Sequence, residues 1–220
     1  MVDRALIAEL RALLAAAGDP ARAAAQQAYM RSAMPYAGVR LPDVRHITRA
    51  AAGGGPVDDE TVRAVWRGAR VREERYAAVE LCRRRPNVVS AMPLYEEMIV
   101  DGAWWDHVDE VATHLVGPLV LAHPDELAPV MRRWGTDPDR WKRRTAIICQ
   151  VGAGHRLDTG LLTDCVEPNL EDHDFFIRKA IGWALRQHAR VDPDWVRAFV
   201  VAHPTLSPLS RKEALRHLGS

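Results

Sequence analysis

Lysine is nearly missing from this chain. Of its 30 basic side chains only Lys142, Lys179 and Lys212 are not arginine. The planar guanidinium fork suits bidentate contacts with phosphates and carboxylates, although a GC-rich genome produces the same bias. Cysteine is scarce as well: Cys82, Cys149 and Cys165 are odd in number and far apart. That excludes a disulfide framework and a zinc knuckle, and points to a reducing cytoplasm. The nine histidines form no H-E-x-x-H or similar ligand spacing, so neither a metal nor another cofactor is expected. No apolar run reaches the roughly 18 to 20 residues of a membrane span. The start, Met1-Val2-Asp3-Arg4, lacks the basic head and apolar run of a signal peptide. Alternating strand patterns with hairpin turns are absent too.

What is present is ordinary in bulk and uneven in detail. The 220 residues are 48% hydrophobic and 27% charged, enough for one sizeable domain. Residues 1–90 hold 15 basic and 10 acidic side chains, residues 91–135 hold 2 and 8, and residues 136–220 hold 13 and 11. The total of +1 is too small to argue for nucleic acid by itself; only a local basic face can.

Alanine, leucine and arginine dominate, and apolar residues recur at three and four, so the expected fold is all-α. Asp19-Pro20, Asp137-Pro138 and Asp192-Pro193 read as N-caps followed by proline at the first helical position. Ser210-Arg211-Lys212-Glu213 reads as a capping box opening the last helix. Breaks fall at Gly53-Gly54-Gly55-Pro56, Arg85-Pro86-Asn87, Gly152-Ala153-Gly154 and His203-Pro204. The first of these is too short to separate two independent domains, so residues 1–220 are expected to form a single domain. A weak repeat links Arg143-Arg144-Thr145-Ala146-Ile147 to Arg178-Lys179-Ala180-Ile181 and then to Arg211-Lys212-Glu213-Ala214-Leu215, at spacings of 35 and 33. Arg75-Tyr76-Ala77-Ala78-Val79 is a further possible copy. Such spacing suits stacked helical hairpins, a solenoid whose corresponding helices line one concave surface.

The segment Trp104-Trp105-Asp106-His107-Val108-Asp109 carries the sharpest signal. Trp105 and Asp109, four apart, share one face of a helix. An indole face and a carboxylate both attract positive charge, which suits a ligand that is cationic or becomes so during reaction. The plainer reading buries the tryptophans in the core and leaves the aspartates as caps or solvated groups. Taken singly, Arg144 reads as a salt-bridging arginine and Trp183 as core. About one repeat apart, these residues converge on one surface if the repeats stack.

These strings resemble the DNA alkylation repair proteins of the AlkD family, alkylpurine DNA glycosylases built from HEAT-like helical repeats. The resemblance begins with Tyr29-Met30 through Pro35-Tyr36-Ala37-Gly38-Val39 and Pro42-Asp43-Val44-Arg45, and continues through Glu96-Glu97-Met98-Ile99-Val100. It is most specific at Trp104-Trp105-Asp106-His107-Val108-Asp109 and at Phe175-Phe176-Ile177-Arg178-Lys179-Ala180-Ile181-Gly182-Trp183, with Trp141 through Ile147 between them. It closes with Pro208-Leu209-Ser210-Arg211-Lys212-Glu213-Ala214. By position, it implies that Asp109 is the catalytic aspartate, Trp105 and Trp183 the lesion-contacting tryptophans, and Arg144 the active-site arginine.

The resemblance implies a HEAT-like solenoid with a concave DNA-binding face, acting as a monomer on double-stranded DNA that contains alkylated purines. The expected location is the cytoplasm, on the nucleoid when DNA is bound, without membrane or cofactor. N3- or N7-alkylation makes the purine cationic and weakens its glycosidic bond, so no strong acid is needed. Stabilising the growing oxocarbenium character and delivering water then fall to Asp109. Arg144 is expected on a phosphate of the lesion strand, with Arg143, Arg178, Lys179, Arg211 and Lys212 tracking other phosphates. The family leaves the lesion in or near the stack, unlike enzymes that flip the base; bulky adducts should then be tolerated. Two alternatives stay open: a non-catalytic helical-repeat scaffold binding DNA or protein, and a glycosylase specialised for a bulky alkyl adduct.

Overall fold

The computed structural model describes residues 1–218, and among these the regular structure is helical with no strand. Packing divides the chain into two compact units, Met1–Pro86 and Asn87–Ser220. The boundary falls in the Arg85-Pro86-Asn87 break, whereas the glycine run at 53–55 lies inside the first unit. No described helix is long and apolar enough to cross a membrane.

The first unit contains α1 (Arg4–Ala16), α2 (Pro20–Met30), α3 (Leu41–Ala52), α4 (Asp59–Arg67) and α5 (Arg72–Cys82). Asp19 caps α2 as its sequence suggests, its carboxylate accepting from the Arg22 amide at 3.1 Å. Leu14, Val39, Val44 and Ala77 form a core cluster with Ala37, Ile47 and Tyr76 packed against it. Glu73, fully buried on α5, is satisfied by three backbone amides, those of Ala37, Gly38 and Val39, at 2.8–3.0 Å. Gly38 is required there: its φ is +86°, and a Cβ would stand 2.1 Å from the Asp19 carbonyl oxygen.

The second unit runs α6 (Met92–Gly102), α7 (Trp105–Val111), α8 (Gly117–Ala122), α9 (Pro124–Trp134), α10 (Arg140–Ile148), α11 (Thr159–Val166), α12 (Phe175–His188), α13 (Pro193–Ala202) and α14 (Pro208–Ala214). Within it α7 packs on α10, α10 on α12 and α12 on α14, so three of the repeat copies read in the sequence lie on successive neighbouring helices. Between α7 and α8 the helix continues through a wide π turn, Ala112–Val116. Pro118 has no amide hydrogen to return to the preceding turn. Gly117 lets the chain pass close to α10, since a Cβ there would lie 2.2 Å from the Cys149 carbonyl oxygen.

Two helix starts differ from the sequence reading. α10 begins at Arg140 with Asp139 as its cap, accepting from the amides of Trp141 and Lys142 at 2.7 and 3.3 Å. Asp137 instead accepts from the Asp139 amide at 2.8 Å, making the turn that precedes the helix. The last helix starts at Pro208 with Ser207 as cap. Ser210 lies inside it, fully buried, donating to the Arg178 carbonyl at 2.8 Å, and Glu213 turns to α12 rather than back along its own helix. In both cases a nearer Asp or Ser took the cap; Asp137 was drawn into a local turn, whereas Ser210 and Glu213 were claimed by contacts with α12.

Candidate active site

Asp109 and Arg144 meet directly. Arg144 Nε donates to Asp109 Oδ1 and Nη2 to Oδ2, each at 2.7 Å, the parallel bidentate geometry that is strongest for this pair. Its Nη1 donates to the Phe176 carbonyl oxygen at 2.5 Å. One guanidinium thus joins three helices: α10, which carries it, α7 and the first turn of α12. The Arg144 side chain is 7% exposed and that of Asp109 18%. Burial pushes the Asp109 carboxyl above the ordinary aspartate range, the hydrogen bonds and charge of Arg144 pull it back, and Asp106 and Glu110 raise it further.

Trp105 stands one turn before Asp109 at the start of α7, half-buried. Trp183, also half-buried, lies seven residues beyond Phe176 on α12, so it falls on nearly the same stripe about 10 Å further along. Gly182 beside it allows α14 to approach, because a Cβ there would be 2.5 Å from Glu213 Cβ and 3.1 Å from the Ser210 carbonyl oxygen. Phe176, whose carbonyl takes Arg144, belongs to an aromatic cluster. Phe176 meets Trp104 edge-on at 5.4 Å and Trp141 at 5.1 Å, with Trp104 and Trp141 6.3 Å apart. In the sequence these three residues stand only as parts of longer strings. Their signal was their position: each lies within three residues of Trp105, Arg144 or the α12 start. The π turn begins three residues after Asp109, and the Thr113 hydroxyl donates to the Asp109 carbonyl oxygen at 2.7 Å. Such wide turns recur at functional positions.

The expected phosphate contacts are placed differently from one another. Arg144, expected on a phosphate, has its three hydrogen-bonding nitrogens turned inward on Asp109 and Phe176. Arg143 donates to the Asp137 and Pro138 carbonyls and pairs with Asp172 at 3.0 Å. Arg178 holds the Asp172 carbonyl at 2.7 Å and the His173 ring nitrogen at 2.8 Å. Lys179 pairs with Glu213 at 2.9 Å, a carboxylate that Arg186 also contacts. Arg211 reaches the His203 carbonyl at 3.4 Å, and Lys212 is exposed with no ion pair to a described residue.

A family model for the DNA alkylation repair enzyme matches residues 10–218. Among solved structures, a predicted DNA alkylation repair enzyme from Enterococcus faecalis is similar over 92% of this chain and 97% of its own, with a TM-score of 0.82 and 26% identity. The alkylpurine DNA glycosylase AlkC of Pseudomonas fluorescens, solved bound to DNA containing an abasic site analog, is similar over 98% of this chain and 61% of its own. Its TM-score is 0.53 at 15% identity, a likeness of fold alone. A search of curated proteins finds no match.

Proposed function

This chain belongs to the family of DNA alkylation repair enzymes, and from that premise we propose that it is an alkylpurine DNA glycosylase. It hydrolyses the N-glycosidic bond of N3- or N7-alkylated purines in duplex DNA. The single observation that carries the reading is the buried Asp109–Arg144 pair, beside Trp105 on the same helix. A carboxylate fixed at both oxygens is preorganised to face a growing positive charge, with no reorganisation left to do at the moment of reaction.

In this mechanism the lesion brings its own positive charge, so the base departs without an acid. As the C1′–N bond lengthens, positive character moves to the sugar, Asp109 stabilises it, and the same carboxylate orients the attacking water. Trp105 and Trp183 lay their indole faces or edges against the cationic nucleotide and deoxyribose. Arg144 is a positioning residue that keeps Asp109 ionised and aimed, which replaces the phosphate-binding role expected of it. The half-buried tryptophans and the partly exposed Asp109 favour attack from the backbone side over extrusion of the base into an enclosing slot.

The test is release of free base from duplexes containing 3-methyladenine or 7-methylguanine, with the full chain and no added metal or nucleotide. Release of either base is expected. Well-folded protein that releases neither in low salt would favour the non-catalytic scaffold. A duplex with a bulky N7 adduct of similar lability should also be cleaved; tight binding without cleavage there would indicate an enclosing pocket.

A further inference from the structure

Positions 172, 174 and 176 lead the chain into α12, and three arginines of α10 hold all three. Arg140 Nη1 donates to Asp174 Oδ2 at 2.8 Å, and Arg143 Nη2 to Asp172 Oδ2 at 3.0 Å. Arg144 Nη1 takes the Phe176 carbonyl oxygen. The two aspartates divide their oxygens in the same way. Oδ1 of Asp174 caps α12, accepting from the amides of Phe176 and Ile177 at 2.7 and 3.4 Å. Oδ1 of Asp172 accepts from the Asp174 amide at 2.7 Å. One oxygen shapes the backbone that enters the helix, and the other ties that backbone to α10.

Of the two outer arginines, Arg143 is the more committed. Its Nη1 also takes the Asp137 and Pro138 carbonyls at 2.7 and 3.1 Å, so it joins the turn before α10 to the segment before α12. The side chains of Arg143 and Asp172 are 19% and 20% exposed, against 50% for Arg140. Ion pairs between helices add a little stability anywhere on a protein, and that would be the whole account if the third contact lay elsewhere. It belongs instead to the guanidinium that grips both oxygens of Asp109. A guanidinium is a rigid planar fork, so a shift of the α12 entry moves Arg144 Nη1 and turns the edge presented to Asp109. Tolerance at such a site is small, since a displacement of about 1 Å can lower a rate roughly 100-fold. On its other flank α10 is held by Lys142, whose Nζ lies 2.6 Å from Glu96 on α6, the helix before α7.

We propose that Arg143 and Asp172 are a positioning pair for the Asp109 site: they fix the entry of α12, and with it the Phe176 carbonyl that aims Arg144. Arg143 then serves the framework of the site rather than the phosphate contact expected from its sequence. The pair's effect on catalysis rests on the glycosylase reading, but the first measurement does not. It is the titration of the Asp109 carboxyl in the full chain without DNA, followed by NMR of carboxyl-labelled aspartate and assigned by loss of the signal in Asp109→Asn. Asp172→Asn keeps an oxygen for the Asp174 amide and removes the charge facing Arg143; Arg143→Gln removes the other partner. In both, a loosened Arg144 pulls the Asp109 carboxyl down less, so the midpoint should rise above that of wild type. Single-turnover base release should slow roughly tenfold, with the DNA dissociation constant little changed. Arg143→Lys should recover most of the shift, and Asp172→Asn/Arg143→Gln should match the single variants rather than sum them. Circular dichroism checks each fold. An unmoved midpoint in the folded single variants would overturn the proposal, leaving a pair that serves stability alone if the Tm falls. An unmoved midpoint with a shallower salt dependence of DNA binding in Arg143→Gln would overturn it by returning Arg143 to a phosphate. A raised midpoint in a protein that releases no base would leave the pair standing and refute only the glycosylase reading.

Discussion

Arg144 is committed to Asp109 before any DNA arrives, and that changes what its substitution should do. Removing one partner of a buried pair leaves the other charge without compensation, a loss of about 3–5 kcal/mol in typical cases. Arg144→Gln keeps a donor near Asp109 but removes the positive charge that pulls its carboxyl down. The proposed mechanism uses Asp109 ionised, and burial already holds its carboxyl above the ordinary range. The single-turnover rate should therefore fall on the acid side at a pH above the usual aspartate value. In Arg144→Gln that limb should move further up, with DNA affinity changing less than the rate. An unshifted limb with a purely weakened affinity would instead return Arg144 to a phosphate. The sequence placed Trp105 and Asp109 on one helix face by their spacing alone. It did not show the bidentate pair, because Asp109 and Arg144 lie 35 positions apart and their contact depends on how α7 and α10 pack.

At the scale of elements, α12 and α14 form a close joint. Gly182 permits it, and Glu213 ties it through Lys179 at 2.9 Å and through Arg186. In Gly182→Ala the new methyl group meets Glu213 Cβ and the Ser210 backbone. Overpacking of that kind costs about 1–3 kcal/mol, so a lower Tm and a slower reaction are expected together, since Trp183 is the next residue. An unchanged Tm would mean that α14 moves away freely. Lys179 holds the Glu213 carboxyl below its ordinary range. The stability it contributes is present above the unfolded-state value of 4.5 and is lost as pH falls through the lower folded value. Thermal melts from pH 6 downward should show a smaller acid loss in Glu213→Gln, which starts less stable. Parallel curves would deny Glu213 this role. The capping-box reading of Ser210 through Glu213 failed for the same reason: side chains that match a local motif were drawn to the neighbouring helix. The π turn was hidden too, since the close approach of Gly117 to the Cys149 carbonyl oxygen is a matter of tertiary packing.

For the molecule as a whole, a net charge of +1 conceals two units of opposite sign, 15 basic against 10 acidic side chains up to Pro86 and 15 against 19 beyond it, an unevenness already legible along the sequence. The all-helical class was legible from periodicity and from proline caps such as Asp19-Pro20 and Asp192-Pro193, which cap α2 and α13. The pairing of Arg143, Arg178 and Lys179 with protein groups was not, because basic residues near helix starts look alike whether they face phosphate or a neighbouring carboxylate or carbonyl. In the proposed mechanism a part-buried, bidentately held Asp109 carboxylate drives base release. Its most direct test is single-turnover release of 7-methylguanine from duplex DNA at saturating protein, comparing wild type with Asp109→Asn. Asparagine keeps the shape and removes the charge, so the rate should fall roughly 100- to 1000-fold while the DNA dissociation constant stays within a few-fold. A near wild-type rate for Asp109→Asn would contradict the account.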